Sequence, residues 1–249
     1  MTDRAAGRRC YASAPLQAGD EVRLGESEAH HLVHVLRVQA GAVVTLFDGS
    51  GAEFPGEVLE VRRGTVLVRA GAPQRPCREL PAPLHLAICL PKGDRQRWLV
   101  EKAVELGVAT LTPLVTQRAD RSSVRGADKL ARYVVEASKQ CGRNVLMEIA
   151  PPQTWPEWLA APQSPAAMRW VAHPGSEPLG MTAAAAAGGG WLSVGPEGGL
   201  TDAEIEAARA AGWQLVDLGP RMLRIETAAV VLAALAGVVL ARAAPREAD

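Results

Sequence analysis

Three charged residues, Arg221, Arg224 and Glu226, stand just ahead of Ala228 to Leu240, a run that carries no charge. A carboxylate can accept a proton, and a guanidinium two residues away can hold developing negative charge. The same two side chains would also serve as a structural ion pair, and spacing alone leaves that choice open. The two arginines lie in a glycine loop, Gly219 to Arg224, and another, Gly195-Pro196-Glu197-Gly198-Gly199, follows the apolar run Trp191 to Val194. Neither loop fits the G-x-G-x-x-G fingerprint of dinucleotide folds or the G-K-[ST] of phosphate loops, and Ser193 lies outside any G-x-S-x-G elbow. Two glycine loops after two apolar strands do place bare backbone at the carboxyl ends of adjacent strands. Open α/β sheets bind ligands there.

The elements that must position these loops are legible from their patterns. Thr201 or Asp202 can cap a helix from Asp202 to Ala211, with Glu204 in its first turn. A short strand, Gln214 to Leu218, leads into the second loop, and a strand Met168 to His173 adds a third loop, His173-Pro174-Gly175, at the same edge. Upstream, Leu84 to Leu90 is apolar enough for a strand covered on both faces. Helix Asp94 to Leu106 follows and stops at Gly107, then come strand Ala109 to Val115 and helix Asp128 to Gln140. Strand, helix, strand with buried faces predicts a parallel α/β sheet. Residues 151–165 read as a Pro- and Trp-bearing connection.

The front of the chain differs. Short β-rich runs between Glu21 and Ala70 predict a small barrel, with one helix from Glu26 to Leu36 and Ser27 as its possible cap. Residues 71–83 hold four prolines and read as a linker. The expected organisation is a barrel over 1–72, a linker over 73–83 and an α/β domain over 84–249.

Composition is that of a soluble protein: 249 residues, 48% hydrophobic and 22% charged, with no net charge. Its distribution is uneven. Residues 80–150 hold 11 basic and 7 acidic side chains, whereas residues 151–249 hold 6 and 10. A basic middle on a neutral chain hints at a polyanion partner. Cys10, Cys77, Cys89 and Cys141 lie far apart, without a C-x-x-C pair, so free thiols in a reducing cytosol are expected. The N-terminus lacks the apolar core of a signal peptide, and Ala228 to Leu240 is shorter than the roughly 20 residues of a bilayer span. His30 and His34 stand one turn apart beside His31, but no carboxylate completes an H-E-x-x-H site, so no metal is expected.

Four stretches, in order and far apart, resemble those of one family. They are Lys92 to Val108 (KGD…EKAVELGV), Lys139 to Asn144 (KQCGRN), GPEGG at Gly195 to Gly199, and LGPRMLRIETA at Leu218 to Ala228. Together they resemble the signature stretches of the RsmE-type 16S rRNA uridine-N3 methyltransferases of the SPOUT superfamily. That resemblance implies a PUA-like RNA-binding barrel followed by a SPOUT α/β domain whose last third is threaded into a deep trefoil knot. It implies S-adenosylmethionine held by His173, Gly195, Pro196, Glu197, Gly198, Gly199, Leu218, Gly219, Leu223, Thr227 and Ala228. Arg224 and Glu226 would be catalytic.

His31, Arg37, Lys92, Lys102, Gln140 and Arg143 would contact RNA. The family's compact Thr-Glu-Arg-Ser is replaced here by Thr116 to Ser122, so either Arg118 or Arg121 takes the arginine's place. The implied substrate is 16S rRNA, in the small ribosomal subunit or its precursor, and the implied assembly is a cytoplasmic homodimer without a metal. A SPOUT enzyme acting on tRNA or ribose, and a non-catalytic RNA-binding assembly factor, are the alternatives. Cofactor binding separates the last from the others.

Overall fold

The computed structural model describes residues 8–62, 64–120, 128–161, 164–178 and 188–243. Its contacts divide the chain into two compact units, Met1–Glu79 with Val135–Leu146, and Leu80–Val134 with Met147–Asp249.

The first unit is one five-stranded sheet built from β1 (Arg9–Tyr11), β2 (Glu21–Arg23), β3 (Val43–Phe47), β4 (Glu53–Arg62) and β5 (Thr65–Ala70), in the order β1-β3-β4-β5-β2. β1 runs parallel to β3, and the other pairs are antiparallel. Alternation along the strands puts Val44, Leu46, Phe54, Val58, Val66 and Val68 into one core. Gly56 completes that face, because a Cβ there would meet Val68 Cγ1 at 2.7 Å.

Helix α1 is shorter than its pattern predicts. It spans Glu26–His30, with Gly25 rather than Ser27 at the N-cap, and continues as a π-turn over His31–Val35. The wider turn buries Leu32, leaves His34 and Val35 exposed, and ends with Arg37 at φ 50°.

The proline-rich run expected to be a bare linker is pinned. Gln74 and Glu53 exchange backbone hydrogen bonds, and Arg78 donates to Glu53 (2.8 Å) and to the Gly142 carbonyl (3.0 Å). Residues Val135–Leu146, read from sequence as part of the α/β domain, group with this first unit, where Lys139 bonds Glu28 and Asn144 bonds Glu53.

In the second unit β6 (Leu84–Ile88), β7 (Thr110–Val115), β8 (Glu148–Ile149), β10 (Met168–Pro178), β11 (Gly190–Val194) and β12 (Gln214–Asp217) pair in the order β12-β10-β11-β6-β7-β8, every pair parallel. β9 (Gln153–Thr154) also pairs with β7. The helices between them are α2 (Asp94–Glu105), α3 (Asp128–Cys141), α4 (Trp155–Ala160), α5 (Asp202–Ala210) and α6 (Ile225–Ala243). The cut between the units falls within α3.

Helix α4 is a correction to the connection expected there. Thr154 and Glu157 form a capping box with a proline in the first turn, and Trp155 and Trp158 are buried. Trp158 donates from Nε1 to the buried Ser193 hydroxyl at 2.7 Å. Helix α6 is longer than its uncharged run. Its length and apolarity would suffice to cross a membrane, but here it packs on α2, β6, β10 and β11.

Candidate active site

The carboxyl ends of β10, β11 and β12 converge in the second unit. After β11 the chain turns through Gly195 and Gly199, where Gly199 adopts φ 71°, and Leu200 returns to the core. A Cβ on Gly195 would meet Leu200 Cγ at 3.0 Å, so this glycine serves the turn itself. Thr201 then caps α5, accepting from the Glu204 amide at 3.3 Å while Glu204 accepts back from the Thr201 amide at 2.8 Å.

The loop expected at His173 to Gly175 is instead a bulge inside β10. Ala172 and Glu177 both pair with Val216, and Gly175 takes φ 75°. One carboxylate fastens this bulge to the next loop. Asp217 accepts from the Gly175 amide at 2.7 Å and from the Gly219 amide at 2.8 Å.

These segments enclose a cavity of about 370 Å³. Of the residues expected to hold a cofactor, all but Gly198 and Thr227 line it. Gly198 is exposed, and its carbonyl accepts from Arg118 Nη1 at 2.9 Å. Spacing did not single out Ala172, Val194, Leu200, Asp217, Met222 and Ile225, which line it too. Only Asp217 could have been suspected, as a charge ending a strand. Gly199 and Gly219 have left-handed backbone and no atom within 4 Å of where a Cβ would stand.

The chain matches the RNA methyltransferase domain model over residues 78–237 and the RNA methyltransferase PUA domain model over residues 24–70. The chain belongs to this RNA methyltransferase family. Relatives named ribosomal RNA small subunit methyltransferase E include one from Synechocystis sp., 34% identical over 84% of this chain and 70% of its own. Another, from Bacillus subtilis, is 30% identical over 81% and 83%. Two solved structures are similar throughout. A methyltransferase from Legionella pneumophila with bound S-adenosylmethionine superposes with TM-score 0.82 at 30% identity, covering 92% of this chain and 96% of that one. The ribosomal RNA small subunit methyltransferase E of Neisseria gonorrhoeae, also bound to S-adenosylmethionine, gives 0.83 at 29%, covering 91% and 95%.

Within this methyltransferase Arg224 and Glu226 do not form the structural ion pair that their spacing left open. Arg224 is exposed on the cavity wall and makes no ion pair among the described residues. Glu226 is 5% exposed and does not line the cavity. Successive helical residues point about 100° apart. Ile225 and Ala228 therefore face the cavity, while Glu226 faces α2, where its Oε1 lies 3.6 Å from Arg95 Nη1. Its Oε2 is buried without a partner. Cys89, beside the site, is no nucleophile. Burial pushes its thiol up to about 11, although a contact with Thr116 Oγ1 at 3.6 Å pulls the other way.

The basic residues assigned to RNA by resemblance divide sharply. In the second unit Lys92 is exposed and paired to Asp120 at 2.5 Å, and Lys102 is half-buried and paired to Glu105 at 2.7 Å. Arg121 lies outside the described residues. In the first unit Arg37 and Gln140 are exposed and His31 is half-buried.

Arg143 differs from all of these. It is 4% exposed and grips Glu79 with two nitrogens, at 3.1 and 2.5 Å. Its motif neighbours are equally committed. Lys139 bonds Glu28 at 2.8 Å, and Asn144 joins Arg9 to Glu53. Burial alone would raise the Glu53 carboxyl, but hydrogen bonds from Arg78, Arg9 and Asn144 outweigh it and hold the group at about 2.

Proposed function

We propose that this methyltransferase transfers a methyl group from S-adenosylmethionine to N3 of a uridine in 16S rRNA. It would do so in the cytoplasm, as a homodimer, on the small ribosomal subunit or its precursor. The observation that carries the reading is the cavity at the ends of β10, β11 and β12. Its backbone is bare at Gly199 and Gly219, and Arg224, without an ion pair among the described residues, stands on its wall. A Cβ at either glycine would project into open space, which fits a ligand lying against main chain. Bound there, S-adenosylmethionine would supply an electrophilic methyl on a positively charged sulfur.

The chain's own residues then have two tasks. Uracil N3–H is a weak acid, so the proton must leave and the imide anion must be held while N3 attacks. Arg224 is placed to hold the charge spreading onto O2 or O4. Glu226 is the carboxylate nearest in sequence; because it stands off the cavity wall, its unpartnered Oε2 would receive the proton through water. Alignment of N3, methyl and sulfur supplies much of the remaining rate.

Among the expected RNA contacts, Arg37, Gln140, His31, Lys92, Lys102 and either Arg118 or Arg121 stay in the proposal, and Arg143 leaves it. The homodimer is supported by α6, whose Val238 is 46% exposed on a helix this apolar. Light scattering at assay concentration reads that directly. The knot remains part of the proposal on the strength of the resemblance. Mass mapping of 16S rRNA after incubation with protein and cofactor tests the whole. One added methyl on a uracil N3 is the expected result, and a modified tRNA or ribose would overturn it. Absence of cofactor binding by calorimetry would make the chain an assembly factor instead.

A further inference from the structure

Arg95 stands in the first turn of α2, and its terminal nitrogens address two carboxylates. Nη2 lies 3.8 Å from Oε1 of Glu197, and Nη1 lies 3.6 Å from Oε1 of Glu226. Glu197 lines the cavity in the loop after β11, and Glu226 sits in the first turn of α6. One guanidinium thus links the loop that would hold the methyl donor to the helix head that carries the proton acceptor.

Both separations exceed hydrogen-bond distance and Arg95 is 39% exposed, so the attraction is moderate and open to screening by salt. Glu226 depends on it nonetheless. A carboxylate this buried requires a counter-charge, and among the described residues Arg95 is the cation within ion-pair range. Lysine would bring a point charge where arginine brings a fork that spans both partners.

We propose that Arg95 is a positioning residue for methyl transfer. By engaging Oε1 it fixes the Glu226 carboxylate and leaves Oε2 to accept a donor. Through the same group it ties the Glu197 loop to α6, so that donor site and carboxylate are set together. The Glu226 half rests on the uridine-N3 reading, whereas the Glu197 half requires cofactor binding alone.

The test uses the full chain carrying Arg95→Met or Arg95→Lys. Cofactor affinity is measured by calorimetry without RNA, and single-turnover methyl transfer with small subunits at saturating cofactor. Arg95→Met should weaken affinity about threefold or more and slow the rate about tenfold or more, with Arg95→Lys recovering part of both. In a Glu197→Gln background Arg95→Met should cost no further affinity, and in a Glu226→Gln background no further rate. Additivity in either cycle overturns the coupling. So does a lower melting temperature with unchanged affinity and rate, which would make Arg95 purely structural. If the wild type leaves 16S rRNA unmethylated, the uridine-N3 reading fails, and the affinity cycle with Glu197 still decides the loop half on its own.

Discussion

The cavity of the second unit and the polar cluster of the first solve opposite problems with opposite residues. Around the cavity, glycines and apolar side chains predominate, and Arg224 on its wall has no ionic partner among the described residues. Around Glu53, charge is dense and consumed: Arg9, Arg78, Asn144 and Glu53 bond one another, and Arg143 grips Glu79 beside them. The motifs assign both to ligands, Arg143 to a polyanion and the glycine loops to a cofactor. Geometry separates the two. A buried charge clamped to carboxylates is withheld from a phosphate, while an exposed one beside bare backbone is open to a ligand.

The most forceful way to break that contrast is to remove the unpaired arginine. Arg224→Ala should slow single-turnover methyl transfer about 10²–10³-fold with cofactor binding nearly kept, since one anion-stabilising donor contributes on that scale. Glu226→Gln should slow the same step by about 10²–10⁴-fold and recover at alkaline pH, where solvent ionises the uracil unaided. Arg224→Ala should not recover, because the anion would still lack its partner. Parallel pH–rate profiles for wild type and Glu226→Gln would take Glu226 out of the proton transfer and leave it as a partner of Arg95.

On the other side of the contrast, Arg143→Ala should destabilise the protein by about 1.5–3 kcal/mol, the range for hydrogen bonds to a charged group. It should leave the salt dependence of RNA binding unchanged. A lost phosphate contact would flatten the log–log slope by about 0.7–0.9, and that result would return Arg143 to the RNA surface. Acid reads the same cluster. The Glu53 carboxyl is held at about 2, below its ordinary 4.5, so its stabilisation is fully present above that value and lost as pH falls through the folded one. The melting temperatures of wild type and Glu53→Gln should therefore converge between about pH 4.5 and 2. A constant gap across that window would place the cluster's strength elsewhere.

Where sequence reading succeeds and fails follows the same division. Periodicity located the parallel strands β6, β7, β10, β11 and β12, because a strand buried on both faces is a continuous apolar run. The glycine loops were legible because bare backbone at a strand end leaves a mark in composition. Helix α4 was missed, because the surrounding prolines outweighed the mark left by its Thr154 to Glu157 capping box. Three features left no local mark. The commitment of Lys139, Arg143 and Asn144 depends on Glu28, Glu79, Arg9 and Glu53, far away in the chain. The pairing of Glu226 with Arg95 depends on a helix phase that places residue 226 off the cavity wall. The bulge at Gly175 depends on an aspartate on another strand.

That aspartate supplies the finest test of the contrast, because it is a charge doing architectural work inside the apolar region. Asp217 accepts from the Gly175 and Gly219 amides at 2.7 and 2.8 Å, joining the β10 bulge to the loop before α6. Each of its oxygens holds one of those amides, so its influence on the cavity it lines can pass through the two loops. Asp217→Asn keeps one acceptor and presents an NH₂ group to the second amide, which removes one hydrogen bond and opposes two donors. A single bond of this kind contributes about 1 kcal/mol net, a factor of roughly five in an equilibrium. If the bond sets the shape of the cavity, cofactor affinity should fall by about that factor while the rate at saturating cofactor is kept, because neither loop is asked to move charge. If it merely holds the sheet edge, the melting temperature should fall and affinity should stay. Calorimetry and thermal unfolding on the same preparation distinguish the two. An unchanged affinity with a lower melting temperature would place Asp217 with the first unit's carboxylates as a purely structural charge.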